Sequence, residues 1–498
     1  MTIDPASVVG PIHRNLFGGF VEHLGRHIYD GIYEPGHETA DAEGFRQDVV
    51  ALVGELGVTT IRYPGGNFVS GFRWEDSVGP RESRPRRLDL AWHSTETNEV
   101  GLHEFTSWVE QVGGELMLAV NLGTRGTQEA LDLLEYANVR GGSALSDLRV
   151  AHGRTEPFGV QTWCLGNEMD GPWQLGQRSA DDYGRLAGRT AKAMKMLDPS
   201  VALVVCGSSS AQMPTFGEWE RVVLMHTFDD VDYISCHAYY QEHDGDTGSF
   251  LASAVDMDGF IEKVVATADH VAAVRGSDKR ISISFDEWNV WYLSRFENVD
   301  KIEGIDNWPV APRLLEDVYS VVDAVVFGSL MISLLKHADR VTAASLAQLV
   351  NVIAPIMTEP GGPAWRQTTF FPFAITSRLA KGEALAVRLE SPTYQTKAYG
   401  VVPVADAVAT RCPDTGAVAV FLVNRSQTDA VDVAVDVSRL GALAVTETHL
   451  LHDEDITACN TLEQPERVTP RPNDSVRIAD GVLTVTLPPV SWTAIGLG

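Results

Sequence analysis

A (β/α)8 TIM barrel followed by an antiparallel, jelly-roll-like β-sandwich is the fold predicted for this chain of 498 residues. Three observations predict it. Eight apolar, β-branched runs recur between about residues 14 and 351, with helical patterns between them. Two of these runs end on a glutamate that opens into Trp-rich, loop-like sequence, as expected when a barrel carries acids at its mouth. Beyond about residue 382 the helical patterns stop and short alternating segments take over.

In chain order, the eight runs are RNLFGGFVE, VTTIRYPGG, ELMLAVNLG, VQTWCLGNE, ALVVCGSSS, VDYISCHAYY, ISISFDEWN and VTAASLAQLVN. Most are continuously apolar, as strands buried on both faces should be. DAEGFRQDVVALVGELG (41–57) and LHEFTSWVEQVGGE (102–115) are amphipathic helical patterns with glycine stops, and DDYGRLAGRTAKAMKMLDPS (181–200) closes on Asp-Pro. AVVFGSLMISLL (324–335) is too short to span a bilayer and reads as a core helix. FPFAITSRLAKG (371–382) is the helix that closes the barrel. An open doubly wound sheet is the competing architecture, but no GxGxxG follows any strand. After the barrel, AVAVFLVNR, AVDVAVDV, VRIADGVLTVTLPP and SWTAIGLG alternate and are separated by Asp, Asn, Gly and Pro, the pattern of a sandwich. No barrel strand fits the first dozen residues, which are expected to add a strand to that sandwich. The expected division is a catalytic barrel over 14–381, and a β-sandwich built from 1–13 plus 382–498.

Formal net charge is −28, which argues against nucleic acid or an anionic membrane as partner. The start of the chain shows no basic region followed by an apolar run, so no secretory signal is visible. Five cysteines occur without CxxC spacing, and Cys164, Cys206 and Cys236 sit inside apolar runs. This reads as a reducing cytoplasm, with no disulfide framework and no structural zinc. His13, His23 and His27 are the only histidine cluster. No HExxH or acidic metal constellation appears, so these three read as structural or pocket-rim residues, with no metal and no cofactor expected.

The chemistry concentrates at Glu168 in WCLGNEMDGPW and Glu287 in ISFDEWNVWY. Each acid ends an apolar run, and aromatic side chains such as Trp163 and Trp173 flank the first. Paired carboxylates among aromatic rings point to glycoside hydrolysis. Asp286 and Glu287 are adjacent, so extended backbone aims them to opposite sides. Glu287 is expected to face the barrel axis, and Asp286 to find a partner outside, such as a neighbouring helix.

An Asn-Glu pair ending the fourth run, with a Glu ending the seventh, resembles clan A of the retaining glycoside hydrolases. Within it, FGGFVEHLGRHIYDGIYEPG, IRYPGGNFVSGFRWEDSVGP, WCLGNEMDGPWQLG, CHAYY, FDEWNVWY and AQLVNVIAPI closely resemble family 51 α-L-arabinofuranosidases, from about residue 10 to residue 375. The resemblance implies Glu168 as general acid/base and Glu287 as nucleophile, with the carboxyls roughly 5–5.5 Å apart. At that spacing the charge of Glu287 helps Glu168 hold its proton until Glu287 becomes an ester. It further implies that Arg62 and Tyr239 bond to the nucleophile and that His237 lies on the acid/base side. Asn167 would bind the sugar 2-hydroxyl, and Glu22, Asn67 and Gln348 the remaining hydroxyls. Trp92 and Trp291 would wall the pocket. The expected activity is exo-acting, retaining removal of terminal arabinofuranose from arabino-oligosaccharides in the cytoplasm, by a homo-oligomer that is hexameric by family analogy. The segment WEDSVGPRESRPRRLDLAWHSTETNE could supply the wall that closes an exo pocket. Two other readings compete. One is another clan A activity, an endo-β-1,4-glucanase or β-xylosidase. The other is a non-catalytic carbohydrate-binding barrel.

Overall fold

The computed structural model describes residues 1–498. After a first strand, β1 (Thr2–Pro11), eight strands follow: β2 (Gly18–Phe20), β3 (Thr60–Tyr63), β4 (Glu115–Val120), β5 (Thr162–Leu165), β6 (Ala202–Val205), β7 (Tyr233–Tyr240), β8 (Ser282–Val290) and β9 (Val341–Leu346). They close into a parallel barrel in the order β8-β9-β2-β3-β4-β5-β6-β7. Each of the eight predicted runs supplies one stave, so the barrel is borne out.

Helices cover the outer face, among them α1 (Gln47–Leu56), α2 (Leu102–Gln111), α3 (Ala180–Leu197), α4 (Ser253–Arg275), α5 (Val321–Lys336) and α6 (Phe370–Leu379). The pattern over 41–57 predicts a longer helix than forms. Asp41 Oδ1 accepts the backbone N–H groups of Glu43, Gly44 and Phe45, each at 2.9 Å. That side chain supplies the turn with its hydrogen bonds, and the helix waits until Gln47.

The alternation of β8 shows how the wall is built. Ile283, Phe285 and Trp288 point outward into the main core. Phe285 packs edge-on against Phe260 of α4 at 5.9 Å, and Trp288 packs against Phe327 of α5 at 4.8 Å between centroids. Strict alternation breaks between these anchors. Ser284 pairs with Ser235 of β7, yet the next pair is Glu287 with His237, so β8 spends one residue more than β7. On the other side, Phe285↔Ala344 is followed by Trp288↔Leu346, with the same excess. This is a β-bulge, and it changes which side chains enter the barrel.

The second layer is a nine-stranded sheet. Its strands after the barrel are β10 (Glu383–Arg388), β11 (Ala405–Arg411), β12 (Val418–Asn424), β13 (Val431–Asp436), β14 (Val445–Leu451), β15 (Arg477–Ala479), β16 (Val482–Leu487) and β17 (Ser491–Leu497). The order is β14-β17-β12-β11-β10-β1-β13-β16-β15. All but one of the pairings are antiparallel; β1 touches β13 in parallel through the single pair Thr2↔Asp436. β1 thus joins the two halves, which enclose one apolar core containing Ile3, Leu422, Val435, Val485 and Ile495. All five cysteines are free thiols.

Barrel and sheet are joined by a partly buried ionic chain. Asp258 of α4 accepts from Lys336 Nζ at 2.8 Å, and from Ser333 and His337 of the α5 end. Lys336 also reaches Asp406 of β11 at 3.4 Å. Asp406 accepts from Arg425 at 2.9 Å, and Arg425 donates back to Ser329 of α5 at 2.9 Å. Burial alone would raise the Asp258 carboxyl, but the hydrogen bonds from His337 and Lys336 and the lysine charge hold it well below the usual range. A depressed carboxylate stabilises the fold above its unfolded pKa of about 4 and loses that contribution as pH falls further. Asp258→Asn should therefore destabilise the protein at pH 7 by about 2 kcal/mol, less than the roughly 3–5 kcal/mol of a fully buried pair. Thermal unfolding from pH 7 down to pH 3 checks this: the gap between wild type and variant should close on acidification.

Candidate active site

The C-terminal ends of the staves deliver the acids. β5 ends at Leu165, and the chain then turns through Gly166 (φ 91°) and Glu168 (φ 43°). A glutamate in this left-handed region is unusual and belongs where a site dictates the backbone. The turn throws the Glu168 carboxylate across the lumen, where its oxygen comes within 4.8 Å of a Glu287 oxygen. That close approach fits the spacing of a retaining pair and leaves no room for the roughly 6.5–9.5 Å of an inverting one.

Both Glu287 oxygens are held by donors. Arg62 Nη1 donates to Oε1 at 2.7 Å, and the Tyr239 hydroxyl donates to Oε2 at 2.7 Å. Arg62 also donates through Nη2 to Asn167 Oδ1 at 2.7 Å, tying the Glu287 side to the Asn-Glu pair. Burial pushes the Glu287 carboxyl above its ordinary value. The Glu168 charge adds to this, while His237 and Arg62 pull it down. A guanidinium can only donate, so the bonding pattern favours an ionised Glu287. Gly66 lies beside it; a Cβ there would sit 2.8 Å from Glu287 Oε1, so a side chain at this position would push the carboxylate from its place.

Glu168 has different partners. Its Oε2 accepts the indole N–H of Trp173 at 2.7 Å, and its Oε1 faces His237 Nδ1 at 2.9 Å. His237 Nε2 donates to Asp286 Oδ1 at 2.9 Å. Burial alone would lower the His237 pKa. The charge of Glu287 and the hydrogen bonds to Asp286 and Glu168 override it and push it up to about 10. The protonated form of His237 is therefore favoured, with Nδ1 facing Glu168 and Nε2 facing Asp286. Glu168, His237 and Glu287 also have the spacing to hold a metal ion, but their oxygens already face the N–H and O–H donors just described.

Asp286 corrects a sequence expectation. It does not reach an outer helix; it is 1% exposed and lies inside the barrel with Glu287. The β8 bulge is the reason, since the extra residue lets two neighbours face the lumen. Burial would raise its pKa, but Arg62 and His237 hold it below the ordinary carboxylate range.

The remaining predicted residues gather above the pair. Glu22 Oε1 accepts from Phe68 N and from Trp92 Nε1, each at 2.9 Å, and Oε2 accepts from Gln348 Nε2 at 3.1 Å. Burial, with the Glu287 charge adding, pushes Glu22 up to about 8, against the pull of the Phe68 and Trp92 hydrogen bonds. His27 Nδ1 pairs with Gln348 Oε1 and orients that amide, while His23 bridges Glu96 and Tyr63 at 2.8 Å each. His13 stands apart, exposed at the start of the barrel. Asn167 Nδ2 donates to Asn67 Oδ1 at 3.3 Å. Trp291 packs edge-on to Tyr239 at 5.0 Å, and Phe296, which sequence reasoning missed, lies 5.8 Å from Trp92 and 6.3 Å from Trp291. Trp163 is fully buried in the outer core, so of the two flanking tryptophans only Trp173, 53% exposed, reaches an acid.

Comparisons with known proteins bear on this arrangement. Residues 52–255 match the family model described as the alpha-L-arabinofuranosidase 1 domain, and residues 286–491 match the alpha-L-arabinofuranosidase C-terminal domain. An exo-alpha-(1->6)-L-arabinofuranosidase of Bifidobacterium longum is 62% identical, over 99% of this chain and 96% of the relative. An intracellular exo-alpha-(1->5)-L-arabinofuranosidase of Streptomyces lividans is 61% identical, over 99% of this chain and 74% of the relative. Among solved structures, the family 51 alpha-L-arabinofuranosidase AbfB from Bifidobacterium longum superposes with a TM-score of 0.96 at 50% identity, covering 100% of this chain and 99% of that one. The arabinose complex of the Thermotoga maritima enzyme gives 0.87 at 33% identity, covering 99% and 98%. With full-length similarity of this order joined to a buried glutamate pair at the mouth of a parallel barrel, the chain belongs to the family 51 α-L-arabinofuranosidases.

Proposed function

We propose that this exo-acting α-L-arabinofuranosidase works by double displacement, with Glu287 as nucleophile and Glu168 as acid/base. The observation that carries the reading is the pair of carboxylates within 4.8 Å, one held by Arg62 and Tyr239 and the other facing His237 and Trp173. In the first step a Glu287 oxygen bonds to the anomeric carbon, the bond to the aglycone oxygen breaks, and that oxygen takes the Glu168 proton. In the second step water gives a proton to Glu168 and its oxygen to the anomeric carbon, and the ester to Glu287 breaks. Two inversions restore the starting configuration.

Glu22, Asn67, Asn167 and Gln348 line one side of the space above the acids and bind the sugar hydroxyls in this reading. Trp92 and Trp291 supply apolar faces. An exo pocket is supported by the way two loops close over it. Thr95 N donates to Pro309 O at 2.9 Å, Thr95 Oγ1 donates to Trp308 O at 2.8 Å, and His93 stacks on Trp308 at 3.7 Å. The loop after β3 and the loop after β8 thereby form one wall, where an endo cleft needs a gap. The relatives' names support arabinofuranosyl oligosaccharides as substrates and intracellular action, and they differ between α-1,5 and α-1,6 linkages. No helix is long and apolar enough to cross a membrane. We take 14–381 as the catalytic unit and 1–13 with 382–498 as the second domain.

Release of an aryl group from an α-L-arabinofuranoside, with no release from a β-xyloside, is the expected result; the reverse would overturn the substrate assignment. Trp173→Phe should lower kcat/KM about fivefold, because it removes one half-exposed hydrogen bond to Glu168 worth about 1 kcal/mol. The loss should appear with an alkyl or sugar aglycone and shrink with an acidic phenol, which needs no acid assistance.

A further inference from the structure

We propose that Asp286 is a positioning residue: through His237 it keeps a proton available to Glu168. The inference rests on Glu168 being the acid/base and adds what controls it.

The bulge in β8 is the starting point. It brings into the barrel a second acid that touches neither the nucleophile's hydrogen-bond partners nor the hydroxyl-binding residues through a short hydrogen bond. Asp286 Oδ1 takes the Nε2 proton of His237 at 2.9 Å. Its Oδ2 lies 3.6 Å from the Cys164 thiol and 3.8 Å from Arg62 Nε, a guanidinium nitrogen with no other partner. Asp286 is therefore an anion fixed at the floor of the site, with no route to solvent or substrate.

The ring above it can point only one way. A neutral imidazole carries its proton on either nitrogen, and the partner of one nitrogen decides the role of the other. With Nε2–H committed to Asp286, Nδ1 is left facing Glu168 Oε1 at 2.9 Å and, farther off, Glu287 Oε2 at 3.6 Å. Nδ1 accepts from Glu168 when that group is a carboxylic acid, and as N–H it donates when Glu168 is a carboxylate. These are two positions of one proton, so Glu168 can change between acid and base with a partner in both states. A carboxylate–histidine pair of this kind supports the acid from behind, as an orienting carboxylate supports the histidine of a hydrolase triad.

Charge decides the sign of the test. The groups facing His237 are Glu168 from the end of β5, Asp286 and Glu287 from β8, and Arg62 from β3, with the Cys164 and Cys206 thiols nearby. Removing the Asp286 charge weakens the hold on the shared proton. The alkaline limb of kcat/KM reports loss of that proton from the free enzyme.

The experiment compares pH profiles of kcat/KM on an alkyl α-L-arabinofuranoside, whose leaving group needs a proton, for wild type, Asp286→Asn, His237→Gln and the double variant. Asp286→Asn keeps an acceptor for Nε2–H but has no charge. Its alkaline limb should move to lower pH by about one to three units, the size of a close charge–charge effect. His237→Gln should also move that limb down, and the double variant should add little to it. A limb left in place in Asp286→Asn, with only the height of the profile reduced, would overturn the proposal, because packing alone does not move a titration. If Asp286→Asn fails to fold, Asp286→Ser, which also removes the charge and leaves His237 in place, is read by the same criterion. Absence of arabinofuranosidase turnover in the wild type would instead sink the underlying reading, so the two failures are distinguishable.

Discussion

Glu287→Gln is expected to lose turnover almost completely, by about 10⁴–10⁶-fold in kcat, the range seen when a nucleophile is removed from a catalytic unit. The amide has the shape of the acid but no charge and no nucleophilic oxygen. Arg62 Nη1 and the Tyr239 hydroxyl keep a neighbour of the right size, and Asp286, 3.8 Å from Arg62 Nε, still balances the guanidinium. The variant should therefore fold and bind arabinose while forming no ester. Stopped assays on an aryl arabinofuranoside, with a melting curve alongside, check both halves. Residual turnover above about one per cent would remove Glu287 from the nucleophile's role.

Glu168→Gln should cost about 10²–10⁴-fold on substrates whose leaving group needs a proton, the usual worth of general acid–base help. The loss should be small for the first step with an acidic phenol. The second step still lacks its base, so the arabinosyl ester on Glu287 should accumulate and appear in the mass of the intact protein. Azide, which needs no deprotonation, should release that ester as an arabinosyl azide of unchanged anomeric configuration. Equal loss with every leaving group, and no ester, would contradict the assignment. Trp173 and His237 contact the two Glu168 oxygens at 2.7 and 2.9 Å, whereas Arg62 and Tyr239 contact those of Glu287 at 2.7 Å each.

How far the sequence alone reached can be judged from particular residues. All eight staves were legible, because a strand buried on both faces must be apolar along its length, and few other structures require that. The acids at their ends were legible for the same reason, since Glu168 and Glu287 interrupt such runs. Asp286 was misplaced by applying alternation to the dipeptide in isolation. The longer pattern held the answer. Ile283 and Phe285 face outward, Ser284 and Asp286 inward, and Trp288 has to return to the outer core. Fitting both tryptophan and acids requires one extra inward position, which is the bulge. Trp163 and Trp173 could not be told apart, because both flank the same acid. One belongs to a stave and packs against helices, while the other lies in a loop and meets Glu168. The start of α1 was lost to a local competitor, the Asp41 carboxylate, which no helical periodicity records. That the first residues join the second sheet was legible, but their place between its halves was not, because it is set by long-range contacts of Met1 and Thr2 with Ala434 and Asp436.

The extra residue in β8 also acts as a lock on frame. Sliding this stave by one place would drag Trp288 into the lumen and press a bare carboxylate against Phe260 or Phe327. Neither error can be relieved by a rotamer change, since the indole has no space inside and the charge has no counter-ion outside. The hydrophobic anchors and the Glu287 carboxylate thus favour the same alignment of this stave.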